Sequence, residues 1–79
     1  NKYGLTEQLI QLDILENYRT IFPGIVSNNS SPLNVKDGTL VIKVNNSVIR
    51  NELKFQQNYM VERLNEYLGT KYIKRIRLV

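Results

Sequence analysis

The chain has 79 residues, no cysteine, no histidine and a formal net charge of +4. These features exclude a disulfide framework and a thiolate metal site, and they remove the commonest general base and zinc ligand. A chain this short has room for one small domain, which we assign to residues 1–79.

The charge is unevenly distributed. Residues 1–35 carry two basic and three acidic side chains, a net charge of −1, whereas residues 36–79 carry nine basic and four acidic side chains, a net charge of +5. A basic half of this kind favours an anionic partner, nucleic acid before a membrane surface. The sequence has no signal peptide and no apolar stretch near the roughly 18 residues of a spanning helix, which predicts a cytoplasmic protein with no membrane partner.

The N-terminal part of the chain predicts two helices. Thr6 suits the N-cap position of a short helix over residues 7–12. Asp13, with Glu16 three residues later, resembles a capping box in which each side chain satisfies a free N–H of the same turn. A second helix is therefore predicted to begin near Ile14.

Two breaks are predicted after these helices. Pro23-Gly24 should end or bend the second helix, because proline removes a backbone donor and restricts the residue before it. The polar run over residues 27–32 is predicted to be a loop.

A β-hairpin is predicted next, with strands over residues 33–36 and 39–45. Asp37-Gly38 between two alternating runs favours a two-residue loop, since both residues tolerate positive φ. Residues that oppose each other share a sheet face. The buried face is then predicted to carry Leu33, Val35, Leu40, Ile42 and Val44, and the outer face Asn34, Lys36, Val41, Lys43 and Asn45.

A long helix over residues 48–68 is predicted to follow. Asn46-Ser47 supplies N-cap oxygens, and Gly69 suits the left-handed position after the last turn. Helical spacing predicts a stripe that covers the sheet, formed by Ile49, Leu53, Met60, Leu64 and Tyr67, with Val61 and Leu68 at its edge.

A second apolar strip lies well round this helix from the first, and it consists of Val48, Phe55 and Tyr59. We favour packing of this strip against the N-terminal helices, because large exposed apolar patches are uncommon. The alternative is a surface that binds a protein partner.

A last strand is predicted over residues 72–78, with Tyr72, Ile76 and Leu78 towards the core and Ile73, Arg75 and Arg77 outward. The element order is α-β-β-α-β. It predicts an α+β fold in which helices cover one face of a three-stranded sheet.

The sequence contains no recognisable set of catalytic residues. A hydrolase needs a nucleophile with an orienting base or a carboxylate pair, and a P-loop needs a glycine-rich cradle. Glu52, Glu62 and Glu66 are adequately explained as solvated helix charges. We therefore expect a protein that is not an enzyme, with no cofactor, no metal and no small-molecule substrate.

The outer sheet face is the candidate nucleic-acid surface, with Lys36, Lys43, Lys71, Arg75 and Arg77 as its phosphate contacts. An equally weighted interpretation is that cations on edge strands oppose aggregation between sheets. No aromatic side chain is interleaved on this face, so binding should be weak and sequence-tolerant.

The amino-acid sequence of the predicted hairpin and long helix resembles the DciA family of bacterial replicative-helicase loaders. The resemblance runs over nearly the whole chain and rests on Asp37, Gly38, Leu40, Ile42, Val44, Ser47, Val48, Arg50, Asn51, Glu52, Leu53, Leu64, Asn65 and Gly69. It implies a KH-like variant of the α-β-β-α-β fold, although the G-x-x-G phosphate loop of KH domains is not in this sequence.

Two functional hypotheses follow. The resemblance implies a DNA-replication accessory domain that binds the replicative helicase and, weakly, single-stranded or duplex DNA, and so aids helicase loading. In that hypothesis the partner-binding residues are Val48, Arg50, Asn51, Phe55 and Tyr59. Charge alone favours a small KH-like domain that binds nucleic acid, with RNA as one candidate ligand, and that is unrelated to helicase loading.

Overall fold

The computed structural model describes residues 6–79. The elements are α1 (Glu7–Ile21), α2 (Ile25–Asn29), β1 (Ser30–Lys36), β2 (Thr39–Val44), α3 (Ser47–Lys54), α4 (Gln57–Leu68) and β3 (Arg75–Leu78). The strands lie in the order β1-β2-β3, with β1 antiparallel and β3 parallel to the central β2. The predicted α+β class and the predicted α-β-β-α-β order are confirmed.

The hairpin loop forms at Asp37-Gly38, where φ is 50° and 81°. Lys36 pairs with Thr39 and Asn34 with Val41, as predicted. Beyond that point the prediction is wrong, because a β-bulge between Pro32 and Asn34 makes Pro32, rather than Leu33, the partner of Ile42. The extra residue turns the side chain of Leu33 to the outer face, where it is 44% exposed.

The predicted break in the N-terminal helix lies at Asn17 rather than at Asp13. α1 continues through Asp13, whose Oδ1 accepts hydrogen bonds from Asn17 Nδ2 (2.9 Å) and Tyr67 Oη (2.9 Å). The helix is kinked at Asn17, where φ −120° and ψ 17° are not helical. Thr6 stands at the N-cap position but its side chain makes no capping hydrogen bond.

The end of α1 at Ile21, just before Pro23-Gly24, follows the prediction. The predicted loop over residues 27–32 is wrong. Residues 25–29 form the short helix α2, and β1 begins directly after it at Ser30. Ser30 is buried, and its Oγ shares a hydrogen bond of 2.8 Å with Tyr18 Oη.

The predicted long helix is broken into α3 and α4 at Phe55-Gln56. The amides of these two residues donate to the carbonyls three residues earlier, at 3.1 and 3.0 Å, in the tight pattern of a 3₁₀ turn. Both predicted caps are confirmed: Asn46 Oδ1 accepts from the amides of residues 48 and 49, and Gly69 has φ 70°.

The core lies between one face of the sheet and the helices α1, α3 and α4. Its buried side chains include Val35, Leu40, Ile42 and Val44 from the sheet, Ile14 from α1, Leu53 from α3, and Met60, Leu64 and Leu68 from α4. β3 begins at residue 75, three residues later than predicted. Residues 72–74 therefore escape the strand alternation, and Ile73 is buried rather than outward.

Candidate binding surfaces

The outer face of the sheet carries cations in adjacent rows. Lys36, Thr39 and Arg75 pair across the three strands, and Arg77 pairs with Val41 in the next row. Lys36, Lys43, Arg75 and Arg77 are all exposed, and we call these four residues the basic face. Arg75 Nη1 donates to Thr39 Oγ1 at 3.3 Å, which orients that guanidinium across the sheet.

Strand position separates the two interpretations of these cations. β1 and β3 are the edge strands, so protection against aggregation is sufficient for Lys36, Arg75 and Arg77. Lys43 lies on the central strand β2, where no edge needs protection. Anion binding accounts for all four positions together.

An open groove of about 920 Å³ runs over this face, and we call it the outer groove. Its lining includes Lys36, Arg75 and Arg77, and it adds Lys54 and Gln57 from the two sides of the break between α3 and α4. Asp37 is the one acidic side chain among the described residues that line it. The excess of cations makes the groove suited to an anionic ligand.

Lys71 is not brought to this groove. It lines a second groove of about 920 Å³ beside the C-terminal end of α4, together with Lys74, Glu62 and Glu66. Two carboxylates balance the two lysines there. Of the five predicted phosphate contacts, the structure therefore places four on one face and the fifth elsewhere.

The strip formed by Val48, Phe55 and Tyr59, which we call the helix strip, is on the surface. These side chains are 69%, 84% and 56% exposed. The favoured interpretation, packing against the N-terminal helices, is therefore wrong for the residues that the structure describes. Tyr59 alone approaches that part of the chain, since it lines a small cleft with Phe22 and Pro23.

Arg50 and Asn51 occupy different environments. Asn51 is exposed. Arg50 is half-buried, its Nη2 donates to the carbonyl of Val44 at 3.2 Å, and its buried Nε has no hydrogen-bond partner. Arg50 thus connects the start of α3 to the end of β2, so it positions the helix strip relative to the sheet.

Three tyrosines have shifted acidities. Burial raises the pKa of Tyr18, and its hydrogen bond with Ser30 partly offsets that shift. Burial, followed by the hydrogen bond to Asp13, raises the pKa of Tyr67. The hydrogen bond that Tyr72 donates to Glu7 is the main reason that the pKa of Tyr72 is raised, with burial second. Each phenol is thus held in its neutral form.

Sequence reasoning missed Lys54, Gln57 and Leu33 as parts of the outer groove. Lys54 and Gln57 lie on the two sides of the helix break, and Leu33 lies at the bulge, so both irregularities border the groove. The pair Gln56-Gln57 was the one local signal of a helix break. It was not decisive, because the apolar stripe continues at helical spacing on both sides of the pair.

Within residues 6–79 no group of three or more histidine, cysteine, aspartate or glutamate side chains is placed to hold a metal ion. In the same part of the chain, no helix has the length and apolar character needed to cross a membrane.

A comparison with protein-family models matches residues 1–78 to the family described as Dna[CI] antecedent, DciA. A search of curated proteins found no match. The family match covers nearly the whole chain and includes both the basic face and the helix strip.

Proposed function

The chain belongs to the DciA family, and from this premise we propose that it is a non-enzymatic accessory domain of bacterial DNA replication. In this proposal it binds the replicative helicase, contacts DNA weakly and aids loading of the helicase in the cytoplasm. The family match carries the proposal, since the family is associated with helicase loading. No cofactor and no small-molecule substrate take part.

We assign helicase docking to the helix strip together with Asn51. Aromatic side chains are enriched at the energetic centres of protein interfaces, and Phe55 is the most exposed large apolar side chain among the described residues. Arg50 belongs to this surface as a positioning residue, since its guanidinium is partly occupied by the carbonyl of Val44. The exposure of Phe55 and Tyr59 supports this assignment.

We assign the DNA contact to Lys36, Lys43, Arg75 and Arg77. Four exposed cations on one face can neutralise phosphates without reading bases, so the contact should be sequence-tolerant and sensitive to salt. Lys71, which lines the other groove, is a weaker candidate than the sequence indicated.

The test is capture of the host's purified replicative helicase by the immobilised domain. Phe55→Ala should weaken capture because it removes the central aromatic of the helix strip. Leu12→Ala is the control, since Leu12 is another exposed apolar side chain but lies on α1. An unmodified domain that captures no helicase but still binds DNA or RNA would instead support a nucleic-acid-binding domain unrelated to loading.

A further inference from the structure

The outer groove has an aliphatic centre that contact with phosphates does not use. Leu33, turned outward by the bulge, lines it at 44% exposure. Val41 on the central strand and Val79 beyond β3 line it as well. A ligand that fits this groove must therefore offer apolar groups as well as charge.

Nucleic acid satisfies only half of that requirement. Proteins that bind single strands stack the bases on aromatic rings, and none of the described residues that line the outer groove is aromatic. Aliphatic side chains are buried favourably against other aliphatic side chains, which peptides supply and nucleotides do not.

The charges around this centre select an acidic ligand. Lys36, Lys54, Arg75 and Arg77 line the groove, and Asp37 is the one acidic side chain among the described residues beside them. Arginine in particular matches the planar geometry of carboxylates and can bind them through two parallel hydrogen bonds. The combination of aliphatic and cationic side chains in the lining is complementary to carboxylates that alternate with aliphatic side chains.

We propose that the outer groove binds a short acidic protein segment that carries aliphatic side chains among its carboxylates. The segment buries its aliphatic side chains against Leu33 and Val41, while its carboxylates pair with Arg75 and Arg77. This ligand goes beyond the proposed DNA contact but shares its arginines, so the segment and DNA compete for the groove. The groove, of about 920 Å³, is large enough for a few side chains at once.

The test uses fluorescence anisotropy with a short labelled peptide of alternating Asp and Leu and a matched peptide with Ser in place of Leu. The domain should bind the first peptide more tightly than the second. Leu33→Gln should weaken binding of the first peptide about tenfold, because one leucine contact is lost. Leu12→Gln, which changes a similarly exposed leucine on α1, should leave binding unchanged.

DNA serves as the second arm. Unlabelled oligodeoxythymidylate should displace the peptide from the unmodified domain, and Leu33→Gln should leave binding of that oligonucleotide unchanged. Equal binding of the two peptides, or full binding of the Leu peptide by the Leu33 variant, overturns the proposal even if DNA binds. Peptide binding without DNA binding supports this proposal and removes the DNA contact from the proposed function.

Discussion

Asn65 and Ile73 are joined by two hydrogen bonds between one side-chain amide and one residue's backbone. Asn65 Nδ2 donates to the Ile73 carbonyl at 2.9 Å, and the Ile73 amide donates to Asn65 Oδ1 at 3.0 Å. Asn65, on α4, thereby fixes the segment that leads into β3. Asn65 is also one of the residues on which the resemblance to the DciA family rests. Its two hydrogen bonds to Ile73 give this asparagine a structural role.

Asn65→Asp should destabilise the fold by about 1–3 kcal/mol, because a carboxylate cannot donate to the Ile73 carbonyl and its negative charge would be repelled by the partial negative charge of that oxygen. Chemical denaturation measures the loss. Asn58→Asp is the control, since Asn58 is exposed on the same helix. Equal losses of stability in the two variants would show that the hydrogen bonds between Asn65 and Ile73 contribute nothing to the free energy of unfolding.

Gly38→Ala should cost more stability than Gly69→Ala. Both glycines have positive φ, 81° and 70°, so both substitutions introduce backbone strain. A Cβ at Gly38 would in addition lie 3.0 Å from Lys74 Cγ and 3.1 Å from the Tyr72 carbonyl oxygen, whereas one at Gly69 meets nothing within 4 Å. We expect about 1–3 kcal/mol for Gly38→Ala, measured by thermal melts. A smaller loss than that of Gly69→Ala would contradict the close approach.

Tyr72→Phe should reduce the sensitivity of the fold to alkaline pH. The pKa of Tyr72 is raised above its ordinary value of about 10, chiefly by the hydrogen bond to Glu7. The folded state therefore holds the phenol proton more tightly than the unfolded chain does. That stabilisation is fully present below pH 10 and is lost as the pH rises through the folded-state pKa.

The measurement is the free energy of unfolding as a function of pH, between neutral pH and the region above pH 10. The unmodified domain should lose stability at the alkaline end, and Tyr72→Phe should lose less. Tyr59→Phe, a change at an exposed tyrosine, should follow the unmodified curve. Identical curves for all three proteins would exclude a contribution of the Tyr72–Glu7 contact.

Replacing Arg75 and Arg77 together with Ala should lower the salt slope of log K for DNA binding. Loss of two phosphate contacts corresponds to a change of about 1.8 for duplex or 1.4 for single-stranded DNA. Lys71 and Lys74 replaced together with Ala provide the control, since that variant removes the same charge from the other groove. An unchanged salt slope in the arginine variant would contradict the assignment of the DNA contact to the basic face.

The sequence by itself determined the features whose causes are local. The Asp37-Gly38 turn, the Asn46 cap and the left-handed Gly69 each depend on the φ tolerance or side-chain oxygen of one or two residues. The alternation of Leu40, Ile42 and Val44 followed from the period of a strand. Together with the element order, these signals were enough to predict the α+β class and the positions of Lys36, Lys43, Arg75 and Arg77 on one face.

Only the tertiary structure decided the rest, because the competing local states are close in energy and packing selects between them. The sequence around Asp13 resembles a capping box, but its Oδ1 accepts a hydrogen bond from Tyr67 Oη, which is distant in sequence. The bulge at Leu33 and the break at Phe55-Gln56 depend on how the strands and helices meet across the core. Those two irregularities shape the outer groove and leave the helix strip exposed.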